Sequence, residues 1–303
     1  MVVTIKADTV SIGALIETTG NSNNHHIDVP QELIAGAPSP RNVVECTCFN
    51  DAPLDLLSVN FTGREREIAL IIEFLEKVYG DLPTRCALHG MHGVGKSQLF
   101  YALAKDLYDE GRYTNVFWMH ATTIEKLHQG YSKLLHLVCH PDRLSTDDSI
   151  KLTAARRWLE EFNSGRWLLV IDNVARETVD FLREHLPRKN GRGNILFTTR
   201  TEDVAKALTQ VAGKQHGVVE LRIPDVEDAA KLFLKHLGDR ETAANDSKIQ
   251  EVVKGIGRLP LAIAQAASYM TETKSSLDDM LSLISSERKI DVGIYFRSLV
   301  VFH

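Results

Sequence analysis

The sequence has no apolar run approaching the roughly eighteen residues needed to span a bilayer, so no membrane-embedded segment is expected. Its opening, MVVTIKADTV, lacks both a basic stretch and a continuous apolar stretch, and no secretory signal is read there. Cysteine is scarce. Cys46, Cys48, Cys86 and Cys139 make no CxxC pair, and the CTC at 46–48 has no second half that could complete a zinc site. Reduced, mostly buried thiols and a cytoplasmic location are the expectation. No basic stripe argues for nucleic acid as a partner. The formal net charge of −5 arises within residues 1–60, where Asp8, Glu17, Asp28, Glu32, Glu45, Asp51 and Asp55 outnumber Lys6 and Arg41. The rest of the chain is balanced, and no internal repeat is visible.

What is present suffices for a buried core. The 303 residues, 44% hydrophobic and 25% charged, allow two domains or one large domain with appendages. Residues 1–60 are rich in Asn, Pro, Thr and Ser. VTIKADTVSI alternates like a short strand, TTGNSNNHH reads as a break with solvated His25 and His26, and Pro30, Pro38, Pro40 and Pro53 punctuate a linker. From Phe61 the texture changes. Ile68, Ile71, Ile72 and Leu75 have the spacing of an amphipathic helix ended by Gly80. Short apolar runs follow: RCALHG, NVFWMHA, RWLLVIDNV, GNILFTTR and GVVELRI. They alternate with helical patterns, one of which carries Ala155, Trp158, Leu159 and Phe162 on one face. Such alternation predicts an α/β domain over 61–223, a parallel sheet with helices on both faces. Beyond Pro224 only helical stripes remain. Val226, Ala230, Phe233 and Leu237 form one, Ile249, Val252, Val253 and Ile256 another, and Leu261 begins a third, so residues 224–303 are expected to form a small all-helical domain.

GMHGVGKSQ, from Gly90 to Gln98, lies between a predicted strand and a predicted helix and matches GxxxxGK[ST] at Gly90, Gly95, Lys96 and Ser97. Glycines let such a loop turn its N–H groups toward phosphate oxygens. Lys96 would reach the β- and γ-phosphates, Ser97 would coordinate Mg²⁺, and the helix that follows would aim its positive end at the same anion. Gly93, Val94 and Gln98 are the other candidate contacts within the loop. In RWLLVIDNV, Asp172 ends a buried strand at the sheet edge where doubly wound folds place ligands, and it would bind Mg²⁺ through water opposite Ser97. Asn173 stands where an active hydrolase usually carries a second carboxylate. An amide orients a water but cannot accept its proton, so slow or absent turnover is expected.

These motifs resemble, in order, those of the NB-ARC domain of STAND-type signalling NTPases, the nucleotide switches of NOD-like receptors and apoptotic activators. The resemblance runs from about Phe61 to about Ala267. FTGRERE is similar to the hhGRE motif that wraps the adenine, which nominates Gly63 and Arg64. ILFTTR resembles the sensor strand whose arginine approaches the γ-phosphate, here Arg200. GRLPLA is similar to GLPLA, and nominates Pro260 as a packing contact to the base. Asn173 departs from the second Asp usual in plant members. No winged helix, MHD motif or repeat array is read in the sequence, so a fragment or a naturally short member is expected, and the terminal IYFRSLVVFH, with Val300, Val301 and Phe302, fits a cut-off piece better. The acidic opening resembles the amyloid-forming motifs that precede NB-ARC domains in some filamentous fungi, while its composition reads as a disordered leader.

The resemblance implies a regulatory switch holding ADP or ATP with Mg²⁺, self-associating through the nucleotide domain in a full-length context, with an amyloid-type or protein effector through residues 1–60. A turnover ATPase, an AAA-type motor or a P-loop kinase, is the alternative. Asn173, the GLPLA-like motif and the helical second domain favour the switch.

Overall fold

The computed structural model describes residues 48–238 and 246–287. The strand expected over VTIKADTVSI, His25, His26, Cys46, the effector character of the opening and Val300–Phe302 lie outside these residues.

The sheet strands begin with β1 (Phe49–Asn50), β2 (Thr84–His89), β3 (Asn115–His120), β4 (Trp167–Val174) and β5 (Asn194–Thr199). Then β6 (Gln210–Val211) and β7 (Lys214–Gln215) make a small antiparallel pair, and β8 (Gly217–Glu220) returns to the main sheet. That sheet is wholly parallel, in the order β1-β3-β4-β5-β2-β8. Both faces are covered, and the alternation along β4 shows how. Trp167, Leu169 and Ile171 enter one apolar cluster, while Leu168 and Val170 enter the other. The first cluster is closed by α3 (Ile124–Leu137), α4 (Asp148–Glu160), α5 (Val179–His185) and α6 (Glu202–Thr209). The second is closed by α1 (Glu65–Glu76), through Ile71, and by α2 (Lys96–Asp109), through Leu99, Phe100 and Leu103. Burial on both sides explains why these strands appear in the sequence as unbroken apolar runs.

A separate apolar cluster unites α7 (Val226–Leu237), α8 (Asp246–Gly255), α9 (Pro260–Thr273) and α10 (Leu277–Glu287). Phe233, Ile249, Val252, Val253, Ile263 and Ala266 are fully buried in it. Asp225 caps α7 by accepting from the Asp228 amide, which fixes the turn out of the α/β part. Among the described residues, no helix is long and apolar enough to cross a membrane.

Four expectations need correction. The leader does not end at residue 60: Phe49–Asn50 pairs with Asn115–Val116 as an edge strand, and Leu54–Leu56 forms a 3-10 turn packed near α2. The first helix stops at Glu76 rather than Gly80, because Lys77 is already extended and Gly80 turns with φ 71° into the bridge between Tyr79 and Leu82. Phe162 leaves the α4 face altogether. It is 73% exposed, with the Arg192 guanidinium 4.2 Å over its ring. Of the thiols described, only Cys86 is buried, and burial pushes its pKa up to about 12; Cys48 and Cys139 are exposed.

Candidate functional site

The loop after β2 carries the first half of the site. A Cβ on Gly90 would stand 2.4 Å from the Leu221 carbonyl oxygen, so only glycine fits there. Gly95 turns into α2 with φ 101°, a left-handed conformation that suits glycine. The first turn of α2 has neither a side-chain cap nor an acidic residue, which leaves its N–H groups and positive end directed at the loop. Lys96 Nζ donates to the Gly90 and Met91 carbonyls, each at 2.8 Å. Burial lowers the Lys96 pKa, Asp172 draws it back up, and Arg200 lowers it further.

The second half sits at the C-terminal ends of β4 and β5. Asp172 is 5% exposed, and Ser97 Oγ donates to its two carboxylate oxygens at 3.0 and 3.1 Å. The Thr198 hydroxyl donates to Asp172 Oδ1 at 2.5 Å, and Asn173 follows with φ 57°. His120 Nδ1 lies 3.7 Å from Asp172 Oδ2, as its registered partner on β3. Ser97 and Asp172 make an all-oxygen pair with one carboxylate, braced from behind by Thr198, which suits a hard divalent cation that keeps part of its water shell. Among the described residues no group of three or more His, Cys, Asp or Glu side chains could hold a metal by itself. The donor set therefore fits Mg²⁺ shared with phosphate oxygens better than an all-protein metal centre.

These two halves open into a cleft of about 850 Å³ that also reaches the helical part. Gly63, Arg64, Gly93, Val94, Gly95, Lys96, Ser97, Gln98, Asp172, Arg200 and Pro260, all nominated from the sequence, line it together with Asn173. Gly90 is outside this lining and faces Lys96 and Leu221 instead. Arg64 is itself left-handed, with φ 73°, and reaches Glu67 at 3.0 Å and the Val94 carbonyl at 3.4 Å, so the segment before α1 is fastened to the loop. Pro260 occupies the first turn of α9, a position proline tolerates well.

Several residues came only with the structure. Gln98 engages its side-chain amide with the lead-in segment, accepting from the Ser58 amide and donating to the Leu56 carbonyl, both at 2.8 Å. Asn60 Nδ2 meets His236 Nδ1 at 3.0 Å, and Lys235 Nζ donates to the Phe61 carbonyl at 3.1 Å, so α7 grips the same lead-in segment. Burial and the neighbouring Lys235 lower the His236 pKa, which favours the neutral ring. The Leu261 amide donates to the Gly93 carbonyl at 3.2 Å, a direct tie from α9 to the phosphate loop. Thr198 lies inside the FTTR stretch, yet its partner became visible only with the strand register.

Comparison with known proteins identifies the family and the fold. A family model described as the NB-ARC domain matches residues 64–243, more than half of the chain. A nucleotide-binding leucine-rich repeat (NLR)-like protein of Hyaloscypha variabilis is 27% identical over 251 residues, covering 77% of this chain and 24% of its own length. The disease resistance protein UNI of Arabidopsis thaliana is 28% identical over 195 residues, covering 62% and 21% respectively. The chain thus spans under a quarter of the length of these curated relatives. Among solved structures, a Walker-type ATPase of Pyrococcus abyssi aligns with TM-score 0.53 at 14% identity, over 79% of this chain and 75% of that one. The ORC2 protein of Aeropyrum pernix aligns with TM-score 0.53 at 15% identity, over 78% and 71%. At such identities the likeness is one of fold.

Proposed function

Because the chain belongs to the NB-ARC domain family, we propose that its P-loop nucleotide-binding module works as an ADP/ATP switch rather than a turnover enzyme. The observation that carries this reading is the tie between Leu261 and Gly93, which makes the helical part a wall of the cleft that contains Lys96 and Asp172. In this reading Lys96 and the loop amides hold the phosphates, and Ser97 and Asp172 hold Mg²⁺, which when bound neutralises phosphate charge. Gly63, Arg64 and Pro260 border the base, while Arg200, at the end of β5, reads the γ-phosphate. ADP keeps α7 and α9 closed on the loop; exchange for ATP releases them. The module then comprises an α/β part reaching from Phe49 to about Ile223 and a helical part from Pro224 onward. Self-association through the α/β part, in a longer protein in the cytoplasm, follows from the same reading.

Asn173 favours the switch over the motor, because its amide cannot accept the proton of an attacking water. The deciding experiment denatures the purified protein and identifies the released nucleotide by ion exchange. ADP at near one equivalent is expected. Protein that carries no nucleotide and binds neither ADP nor ATP in calorimetry overturns the reading.

A further inference from the structure

The ladder between β4 and β5 breaks where the site is built. Pairing runs in register from Leu168 and Asn194 to Ile171 and Phe197, then resumes only at Val174 and Thr199. Three steps along β4 thus match two along β5, a one-residue bulge that takes up Asp172 and Asn173. Asn173 absorbs the turn with φ 57°, a region where Asn is among the better-tolerated residues. A bulge strands an amide, and here the Asn173 N–H donates to Thr198 Oγ1 at 2.7 Å. A hydroxyl has one proton. With the amide already donating to it, Thr198 is left to donate, and it does so to Asp172 Oδ1 at 2.5 Å. The direction of both bonds is therefore determined, and Thr198 itself is 1% exposed.

Resting on the reading that Ser97 and Asp172 hold the metal of a bound nucleotide, we propose that Thr198 is the positioning residue for that metal. Its hydroxyl uses the bulge amide as an anchor and locks the carboxylate of Asp172 against rotation, with Ser97 Oγ on the other side. Thr198 acts through Asp172 alone. Outer partners that orient a ligating carboxylate typically contribute 10- to 100-fold to metal affinity. A purely structural role, satisfying the Asn173 amide, would cost fold stability but leave metal dependence unchanged.

The test measures binding of a fluorescent, non-hydrolysable ATP analogue with Mg²⁺ and with EDTA, and takes the ratio of the two affinities. Thr198→Val keeps the shape and removes the hydroxyl; Thr198→Ser keeps the hydroxyl. The ratio is expected to fall about 10-fold or more in Thr198→Val, with the EDTA affinity unchanged, and to persist in Thr198→Ser. Titration of Mn²⁺ into the analogue complex, followed by electron paramagnetic resonance, should show the same loss directly. A parental ratio retained in Thr198→Val, or equal losses with and without Mg²⁺, overturns the proposal. Should Thr198→Val not fold, Thr198→Ala reads the same ratio without crowding the site. A parental protein that binds the analogue equally well in EDTA removes the metal reading beneath it, a result distinct from failure of Thr198 alone.

Discussion

The amide nitrogen of Leu261 donates to the carbonyl oxygen of Gly93 across 3.2 Å, so the second residue of α9 touches the phosphate loop with no intervening side chain. The contact is close on the apolar side as well, since a Cβ on Gly93 would stand 3.2 Å from the Leu261 Cβ. A second tie lies at the far end of the cleft, where Lys235 and His236 hold Phe61 and Asn60. Among the described residues, the helical part is therefore fastened beside the cleft by one backbone bond and by a pair of side-chain contacts. Both sets of bonds must break for the cleft to open.

Closure predicts a ligand-linked gain in stability. A nucleotide that binds the folded protein at a hundred times its dissociation constant adds about 2.7 kcal/mol. For a domain of this size each kcal/mol shifts Tm by about 2–4 °C, giving a rise of roughly 5–11 °C with ADP. Pro260→Ala should reduce that rise while leaving the Tm without nucleotide close to the parental value, because alanine is also well accepted in the first turn of a helix. Differential scanning fluorimetry with and without ADP measures both. An undiminished rise in Pro260→Ala would mean that α9 does not press on the base.

Lys96→Ala should leave the fold intact and weaken nucleotide binding. Its ammonium bonds only the Gly90 and Met91 carbonyls, so no core contact is lost. Charged hydrogen bonds contribute about 1.5–3 kcal/mol, which is roughly one to two orders of magnitude in Kd. Calorimetry with ADP reads the change directly. Equal affinity in the two proteins would move the phosphates away from the loop.

Turnover should be far below the enzyme median of roughly 10 s⁻¹, given an amide at Asn173. Asn173→Asp supplies a carboxylate in a backbone region that Asp also tolerates, with φ 57°, and should raise the rate. Steady-state phosphate release decides. Several turnovers per second by the parental protein would favour the motor reading.

The strands were legible because a parallel strand buried on both faces must be apolar at every position. The motifs were legible because phosphate geometry constrains Gly90, Gly95, Lys96 and Ser97 to fixed spacing. β1 was not, since two residues carry no periodicity and its pairing with Asn115–Val116 depends on contacts more than sixty positions away. Phe162 misled because helical spacing continues past the point where α4 ends at Glu160. Gln98 was nominated for its place beside Ser97, yet its amide reaches Leu56 and Ser58. Thr198 depended on a bulge, which no local pattern announces.

That use of Gln98 carries its own prediction. With both amide groups engaged, Gln98→Ala leaves the Ser58 N–H and the Leu56 C=O without their partner. A loss of about 1–2 kcal/mol is expected for two such bonds at a half-buried position. Limited proteolysis should cut first between Leu54 and Asn60 in the variant. An unchanged urea midpoint and cleavage pattern would show that the Gln98 amide does not hold the lead-in segment.

The last prediction concerns acid stability and His216. This ring is 3% exposed, stacks on Tyr79 with centroids 3.7 Å apart, and accepts the Arg85 amide through Nδ1 at 3.1 Å. Burial, helped by Arg85 and Lys214, pushes its pKa down from 6.5 to about 4. The folded protein therefore keeps His216 neutral over a range in which the unfolded chain binds a proton. Stability from this residue is complete above the unfolded value of 6.5 and is lost as pH falls toward 4. One proton is at most about 1.4 kcal/mol per pH unit, so about 1–2 kcal/mol should disappear between pH 7 and pH 5. His185 and His236 are also lowered by burial and act in the same direction, so the comparison must isolate His216. His216→Gln does so, because its amide oxygen can accept the Arg85 N–H and does not titrate. Urea midpoints at the two pH values should converge more closely in the variant than in the parent. Identical pH slopes in both would show that His216 takes up its proton over the same pH range in the folded protein as in the unfolded chain, so that burial does not hold the ring neutral.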